Sequence, residues 1–357
     1  MTRSKLAALV VTLGMLAVAC GGTAAPSAAP ATAAASAAAT AATFTLPTPE
    51  LTTVRIGLSA PTEPVQFAEK LADVLGYYKE NGITTVNITG FEGDGKALQA
   101  LVAGQLDFFV GGSSTAITSQ TSDTPLKVIS MNSVLNTDGI YCKAAIKTAA
   151  DVKGKSIAIS TFGGTSHGSV LIALQQLGLT PKDVTIREVG NEGTRIAALK
   201  AGSVDCADIS LQQDQAMKDA GLNQVADVTK GGGQWGRSGL MTRADFLQKN
   251  PNTALDIVAA VVRAQNYMWT NNADATKPFA DFTQMKMADA QNAMSQFPSY
   301  GLRNMVPTVE AFKAPQQTLG TINASVLGVD LTKCFDSSFL QKLIDNGYYA
   351  KYGVPTK

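Results

Sequence analysis

An eight-residue stretch that recurs almost letter for letter constrains this chain more than any other feature of its sequence. Ala100-Leu101-Val102-Ala103-Gly104-Gln105-Leu106-Asp107 is matched by Ala198-Leu199-Lys200-Ala201-Gly202-Ser203-Val204-Asp205, 98 residues later (107 to 205). Each copy reads as the end of a helix, a glycine C-cap and the start of a strand preceded by Asp. The surroundings repeat as well. Before the first copy, a buried strand at 54–58 is followed by Phe67, Leu71, Val74, Leu75 and Tyr78 at helical spacing, with Gly82 closing that helix, and then by a strand at 85–89. A helix at 96–103 and a strand at 106–110 complete the unit. The second unit has strands at 156–160, 184–189 and 204–209, with helices at 168–177 and 195–201. Strand–helix alternation of this kind predicts a parallel sheet flanked by helices. A 98-residue period is too long for a stacked solenoid. The expected fold class is therefore α/β, with two similar lobes that each have their own sheet.

Composition removes several function classes. The chain has 357 residues, 45% hydrophobic, which is more than one small core needs. Lys and Arg total 29 against 28 Asp and Glu, and no basic run is present, so there is no electrostatic footprint for nucleic acid. With one histidine and four cysteines, there is room for at most one hydrolytic triad or zinc site. Nothing around His167 resembles either. No catalytic residue, metal or cofactor is expected.

The first 19 residues read as a signal peptide: Arg3 and Lys5, then an apolar core from Leu6 to Val18 that is too short to span a bilayer. Leu16-Ala17-Val18-Ala19-Cys20 resembles a bacterial lipobox, with Ala17 where Leu is usual, and predicts lipidation at Cys20. Residues 20–51 are rich in Ala, Thr, Ser and Pro and predict a disordered tether, with a reach of roughly 30 Å. The folded part is expected to begin near Thr52.

Three further motifs follow in order. They are Tyr77-Tyr78-Lys79-Glu80-Asn81-Gly82-Ile83; Ala103-Gly104-Gln105-Leu106-Asp107 with Gly111-Gly112-Ser113; and Ala149-Ala150-Asp151-Val152-Lys153-Gly154-Lys155 with Gly163-Gly164-Thr165-Ser166. Behind the lipobox and tether, this series resembles the nitrate/sulfonate/taurine solute-binding proteins (the NMT1/THI5-like group), well over residues 52–250 and loosely beyond. The resemblance implies a type II periplasmic-binding-protein fold of two α/β lobes joined by two crossing segments, near Tyr141-Cys142 and Gly239-Leu240. Residues 52–141 and 240–330 would form lobe one, 142–239 lobe two, and 331–357 a C-terminal helical segment. It further implies the solute-binding subunit of an ABC importer. Such a subunit is a monomer, exported and lipid-anchored to the outer face of the bacterial cytoplasmic membrane, that delivers a small molecule to a permease and its ATPase. An alkanesulfonate-like anion fits the helix N-termini, and a flat heterocycle such as a pyrimidine or flavin fits the aromatic residues. The rivals are a thiamine-pyrimidine-type biosynthetic enzyme on the same fold and a scaffold lipoprotein.

In open α/β sheets ligands bind beyond the carboxyl ends of the strands, where helix N-termini offer free N–H groups. That rule selects the loop with Ser59, Thr62 and Gln66; the hydroxyl-rich turn Ser113, Ser114 and Thr115; its counterpart Thr161, Phe162, Gly164, Thr165, Ser166 and His167; and the strand end with Asp208 and Gln212. Asn136, near the first crossing, joins them. Trp235 and Arg237, in a glycine-rich loop, could close over a ligand, the Arg as an anion clamp. Cys142 and Cys206 fall in the same lobe, so a bridge is conceivable, but spacing does not establish it and buried free thiols are expected, Cys334 included.

Overall fold

The computed structural model describes residues 44–231 and 234–357. The predicted leader, Cys20 and the tether up to residue 43 lie outside the described residues.

Among the described residues, ten strands form two five-stranded sheets with one shared plan. The strands are β1 (Thr53–Leu58), β2 (Thr85–Gly90), β3 (Phe108–Gly111), β4 (Leu126–Ser133), β5 (Asp138–Cys142), β6 (Ser156–Ile159), β7 (Thr185–Glu188), β8 (Cys206–Ser210), β9 (Asn223–Asp227) and β10 (Ser238–Arg243). One sheet runs β2-β1-β3-β10-β4 and the other β7-β6-β8-β5-β9. In each, three parallel strands come from one repeat unit. The fourth strand, antiparallel to its neighbours, directly follows the passage from the other sheet. The chain leaves the first sheet after Ser133 and enters the second at Asp138. The first crossing is thus 134–137 rather than 141–142, and the second ends before Ser238 rather than at Gly239-Leu240. Tyr141, Cys142, Gly239 and Leu240 are instead central strand residues, held there because their strands are buried.

The recurring octapeptide has a structural reason. Asp107 caps its sheet by accepting from the Arg55 backbone N–H at 2.8 Å and pairing with the Arg55 guanidinium at 2.7 Å. Asp205 does the same work in the other lobe, accepting from the Ser156 N–H at 3.0 Å and pairing with Lys143 at 2.8 Å. The predicted long helix from Phe67 is broken: Ala68–Val74 and Tyr77–Glu80 are separated at Gly76, whose φ of +75° suits only glycine.

Each lobe has its own core. Lobe one packs β1, β3 and β10 against the buried helix Pro251–Thr270, and the C-terminal helices Ser338–Asp345 and Tyr348–Lys351 return to this core through Leu340, Leu343 and Tyr349. Residues 44–51, expected in the tether, are also laid on it. Phe44, Leu46 and Leu51 pack against the core, and the Glu50 carboxylate accepts from the Asn252 and Thr253 N–H groups at 3.0 and 2.7 Å, capping the helix that starts at Pro251. Lobe two is stapled by a disulfide, Cys142–Cys206, in place of the expected free thiols. The two residues are directly opposed on β5 and β8 with Cα atoms 4.0 Å apart, so pairing required only that both strands form. Cys334 is a free buried thiol, pushed up to about 12 by burial.

Glu69 introduces a pH dependence. Its side chain is fully buried beside Asn132, whose Nδ2 donates to it at 3.0 Å. Burial pushes the carboxyl up to about 7 from an ordinary 4.5, with the Asn132 hydrogen bond opposing. Between those values the folded protein keeps a proton that the unfolded chain has released, so stability falls as pH rises through that window. Glu69→Gln keeps an acceptor for Asn132 and should flatten this decline, gaining up to about 3 kcal/mol above pH 7. Urea unfolding at pH 5 and pH 8 measures it, and an unchanged slope would refute the assignment.

Candidate functional site

The carboxyl ends of β1 and β2 from one lobe and β6, β7 and β8 from the other enclose a small polar cavity of about 30 Å³, room for roughly two water molecules. The lobes touch at its rim. Gly95 N–H donates to Thr161 Oγ1 at 3.2 Å, and farther out Asn292 Nδ2 donates to the Gln212 carbonyl at 3.4 Å. Gly112 lies so close to lobe two that a Cβ there would sit 1.9 Å from Thr165 Oγ1.

Asp94 organises one wall. It opens the helix Asp94–Val102, after Gly93 at a φ of +114°, and is buried. Its Oδ2 accepts from Gly112 N at 3.2 Å and Thr115 Oγ1 at 3.0 Å in lobe one, and from Thr165 N at 3.4 Å and Thr165 Oγ1 at 3.3 Å in lobe two. The two glycine–hydroxyl turns predicted to cradle a ligand anion thus converge on a carboxylate of the protein itself. Helix N-termini favour negative charge, and here that charge is built in.

The second wall is an ion-paired network across the crossings. Arg237 Nη2 donates to both Glu63 oxygens at 2.8 Å and to Asp138 Oδ1 at 3.0 Å. Ser169 Oγ donates to Asp138 Oδ2 at 2.7 Å and accepts from Asn136 Nδ2 at 2.9 Å. Burial pushes Glu63 up to about 7 despite Arg237. Burial also works against the charge on Arg237, but Asp138, Glu63, Asp208 and Glu192 hold it firmly protonated.

The third wall belongs to lobe two. Arg195 is committed to the Asp208 carbonyl (2.7 Å), the Gly190 carbonyl (2.8 Å) and Asp208 Oδ2 (3.4 Å). Glu192 accepts from Ser210 N at 2.6 Å. Burial raises both carboxyls: Asp208 well up, with Asp138 adding to it, and Glu192 with Arg195 opposing. Asp208 is 1% exposed; the nearby Ser166 hydroxyl favours its charged form, while its Oδ1 has no partner at full hydrogen-bond geometry.

A two-lobed clamp with exchanged strands and a polar cavity at the crossings is the type II periplasmic-binding fold. The model of the NMT1/THI5-like family matches residues 67–275, more than half of the chain. The chain belongs to the NMT1/THI5-like family. Among similar proteins is the taurine-binding periplasmic protein of Escherichia coli, 28% identical over 220 residues; the match covers 60% of this chain and 66% of that protein, just under two thirds of its length. The alkanesulfonate-binding protein SsuA from Xanthomonas axonopodis pv. citri, solved bound to MOPS, superimposes with a TM-score of 0.68 at 19% identity, covering 80% of this chain and 98% of that one. The desulfurization enzyme DSZB shares the fold at a TM-score of 0.56 and 15% identity, covering 82% and 99%.

In this NMT1/THI5-like chain the cavity takes Ser59, Thr62, Gln66, Thr165, Ser166, Asp208 and Arg237 from the predicted set. Ser59 accepts from Gln66 Nε2 at 3.0 Å, which braces that loop. Thr115, Thr161, Gly164 and Asn136 stand behind the lining and hold it. Ser113 donates away to the Ala311 carbonyl, Ser114 is fully buried, and Gln212 bonds Thr137 on the outer side. Phe162 is 54% exposed, its ring edge-on to His167, whose Nδ1 accepts from Gly163 N. Trp235 is 2% exposed and packs on Gly168 instead of capping the cavity.

Sequence reasoning missed Glu63, Asp94, Asp138, Glu192 and Arg195. The repeat contained a signal for two of them. The same 98-residue offset pairs Asp94 with Glu192, each at the first position of the equivalent helix and each followed by Gly.

Proposed function

We propose that this protein is the solute-binding subunit of an ABC-type importer, holding a small molecule between its lobes and handing it to a permease and its ATPase. The observation that carries the reading is the cavity at the crossings, lined by polar side chains from both lobes, with Asp94–Thr165 and Arg237–Asp138 contacts that form only when the lobes meet. Its similarity to a taurine-binding and an alkanesulfonate-binding protein supports the same role. Capture without chemistry fits the lining, which has carboxylates, guanidiniums and hydroxyls but neither His nor Cys. The lining residues Ser59, Thr62, Gln66, Thr165, Ser166, Asp208 and Arg237 are the proposed ligand contacts. An exported, monomeric protein anchored through Cys20 completes the reading, and a Cys142–Cys206 bridge suits an oxidising compartment.

Because the cavity is about 30 Å³, most solutes can enter only when the lobes part. The test is a set of small anions (ethanesulfonate, methanesulfonate, nitrate) and small organic cations (putrescine, agmatine, benzamidine), read by thermal melting and small-angle scattering. A bound probe at one hundred times its Kd adds about 2.7 kcal/mol, a rise of a few degrees in Tm, with compaction of the particle. Gly112→Val keeps an ordinary φ of −83° but overpacks the lobe contact. It should weaken binding roughly tenfold to a hundredfold, cost the unliganded protein about 1–3 kcal/mol, and leave its circular dichroism spectrum unchanged. Silence from every probe in the wild type would refute the reading.

A further inference from the structure

The groups around the cavity favour a ligand with N–H donors over a simple oxyanion. Five carboxylates, Glu63, Asp94, Asp138, Glu192 and Asp208, surround it or brace its lining, against two guanidiniums. Both guanidiniums are already ion-paired, although Arg237 Nε has no hydrogen-bond partner. Arg237 is shared between Glu63 and Asp138, and Arg195 between Asp208 and two backbone carbonyls. The helix N-termini that would receive an oxyanion already hold Asp94 Oδ2. An incoming sulfonate would lose its hydration and meet a lining in which acidic side chains outnumber guanidiniums.

A second, independent observation points to the ligand. Asp208 is 1% exposed, lines the cavity, and leaves Oδ1 without a partner at full hydrogen-bond geometry. A buried carboxylate oxygen left unpaired costs free energy that a donor from a ligand restores. Among the described residues no three carboxylate, His or Cys side chains are grouped closely enough to hold a metal ion. The acidic side chains are distributed along the cavity wall, which suits a molecule with N–H donors at more than one point.

We propose that the solute is a small organic cation, a protonated amine or amidinium, whose N–H groups donate to Asp208 with Glu192 and Glu63 completing the counter-charge. This rests on the reading that the interlobe cavity is the solute site. Charge-assisted hydrogen bonds to a carboxylate are short and strong, and strongest where water is excluded.

The probe set above separates the two ideas. Putrescine, agmatine or benzamidine should raise Tm and compact the particle, while ethanesulfonate, methanesulfonate and nitrate do neither. In Asp208→Asn, affinity for the responding cation, measured by calorimetry, should fall about tenfold or more. Circular dichroism and the unliganded Tm check folding, and if that variant does not fold, Glu192→Gln takes its place with the same expectation. A response to anions alone would overturn the cationic ligand and leave solute capture standing. Silence from all six probes would overturn both. A cation whose affinity is unchanged in a folded Asp208→Asn would overturn the assignment of the contact.

Discussion

Removing the Cys142–Cys206 disulfide should destabilise lobe two by about 4 kcal/mol, because the bridge closes a 64-residue loop whose unfolded freedom it restricts. The expected result with Cys142→Ala and Cys206→Ala combined is a fall in Tm of roughly 10 °C. The loss should be local. Lobe two has its own apolar clusters, around Ile157, Ile159, Val170 and Leu174 on one face of its sheet and Leu199, Ile209 and Met217 on the other, separate from the clusters of lobe one. Hydrogen exchange should therefore quicken in β5–β9 while the helix Pro251–Thr270 stays protected. The same fall should appear in the wild type under strong reductant. An unchanged melt in both experiments would show that strand pairing alone carries the lobe. The outcome also bears on location, since a structural bridge of this size matters to a protein that folds where thiols are oxidised.

Arg237→Met should cost about 3–5 kcal/mol, because it strands Glu63 and Asp138 as buried carboxylates without their cation. The cost should grow with pH. Glu63 already sits at about 7 through burial, with Arg237 holding it down, so the substitution moves it higher still. In the wild type, Glu63's part in the loss of stability ends near pH 7; in the variant it should continue past that point, because the folded state keeps a proton the unfolded chain has shed. Denaturant titrations at pH 5, 7 and 8.5 measure the divergence. Adding Glu63→Gln and Asp138→Asn should recover most of the loss, since a buried pair removed whole costs far less than a pair broken. A variant no less stable than the wild type, or an equal loss at every pH, would mean that the network is hydrated and bears little of the fold. Because Arg237 bonds residues of both lobes from the second crossing, the same variant should loosen the register between lobes as well as the stability of the chain.

Local chemistry sufficed for much of the fold. The alternation of strands and helices, the glycine C-caps, the doubled octapeptide with its two strand-capping aspartates and the loops that meet at the cavity are all legible in the sequence, because each depends on neighbours within a few residues. The family motifs are legible for the same reason. The break at Gly76 was missed because the apolar spacing continues through it, and backbone handedness leaves no mark on hydrophobic periodicity. The strands β5 and β10 were missed because each pairs in a sheet built mainly from the other repeat unit or from distant chain, and an isolated run of five or six residues does not announce its partners.

The cavity itself was decided by tertiary structure. Ser59, Thr165 and Asp208 could be placed at strand ends and helix starts, but nothing local distinguishes a carboxylate that points into a cleft from one that points to solvent. Asp94 meets Thr165 across 71 residues, and Arg237 meets Glu63 across 174. The sign of the site's charge depends on those long-range meetings. The sequence alone determined that two α/β lobes would face each other with helix N-termini between them. Only the folded arrangement put a carboxylate of the chain against those N-termini, because the lobes had first to come within hydrogen-bonding distance.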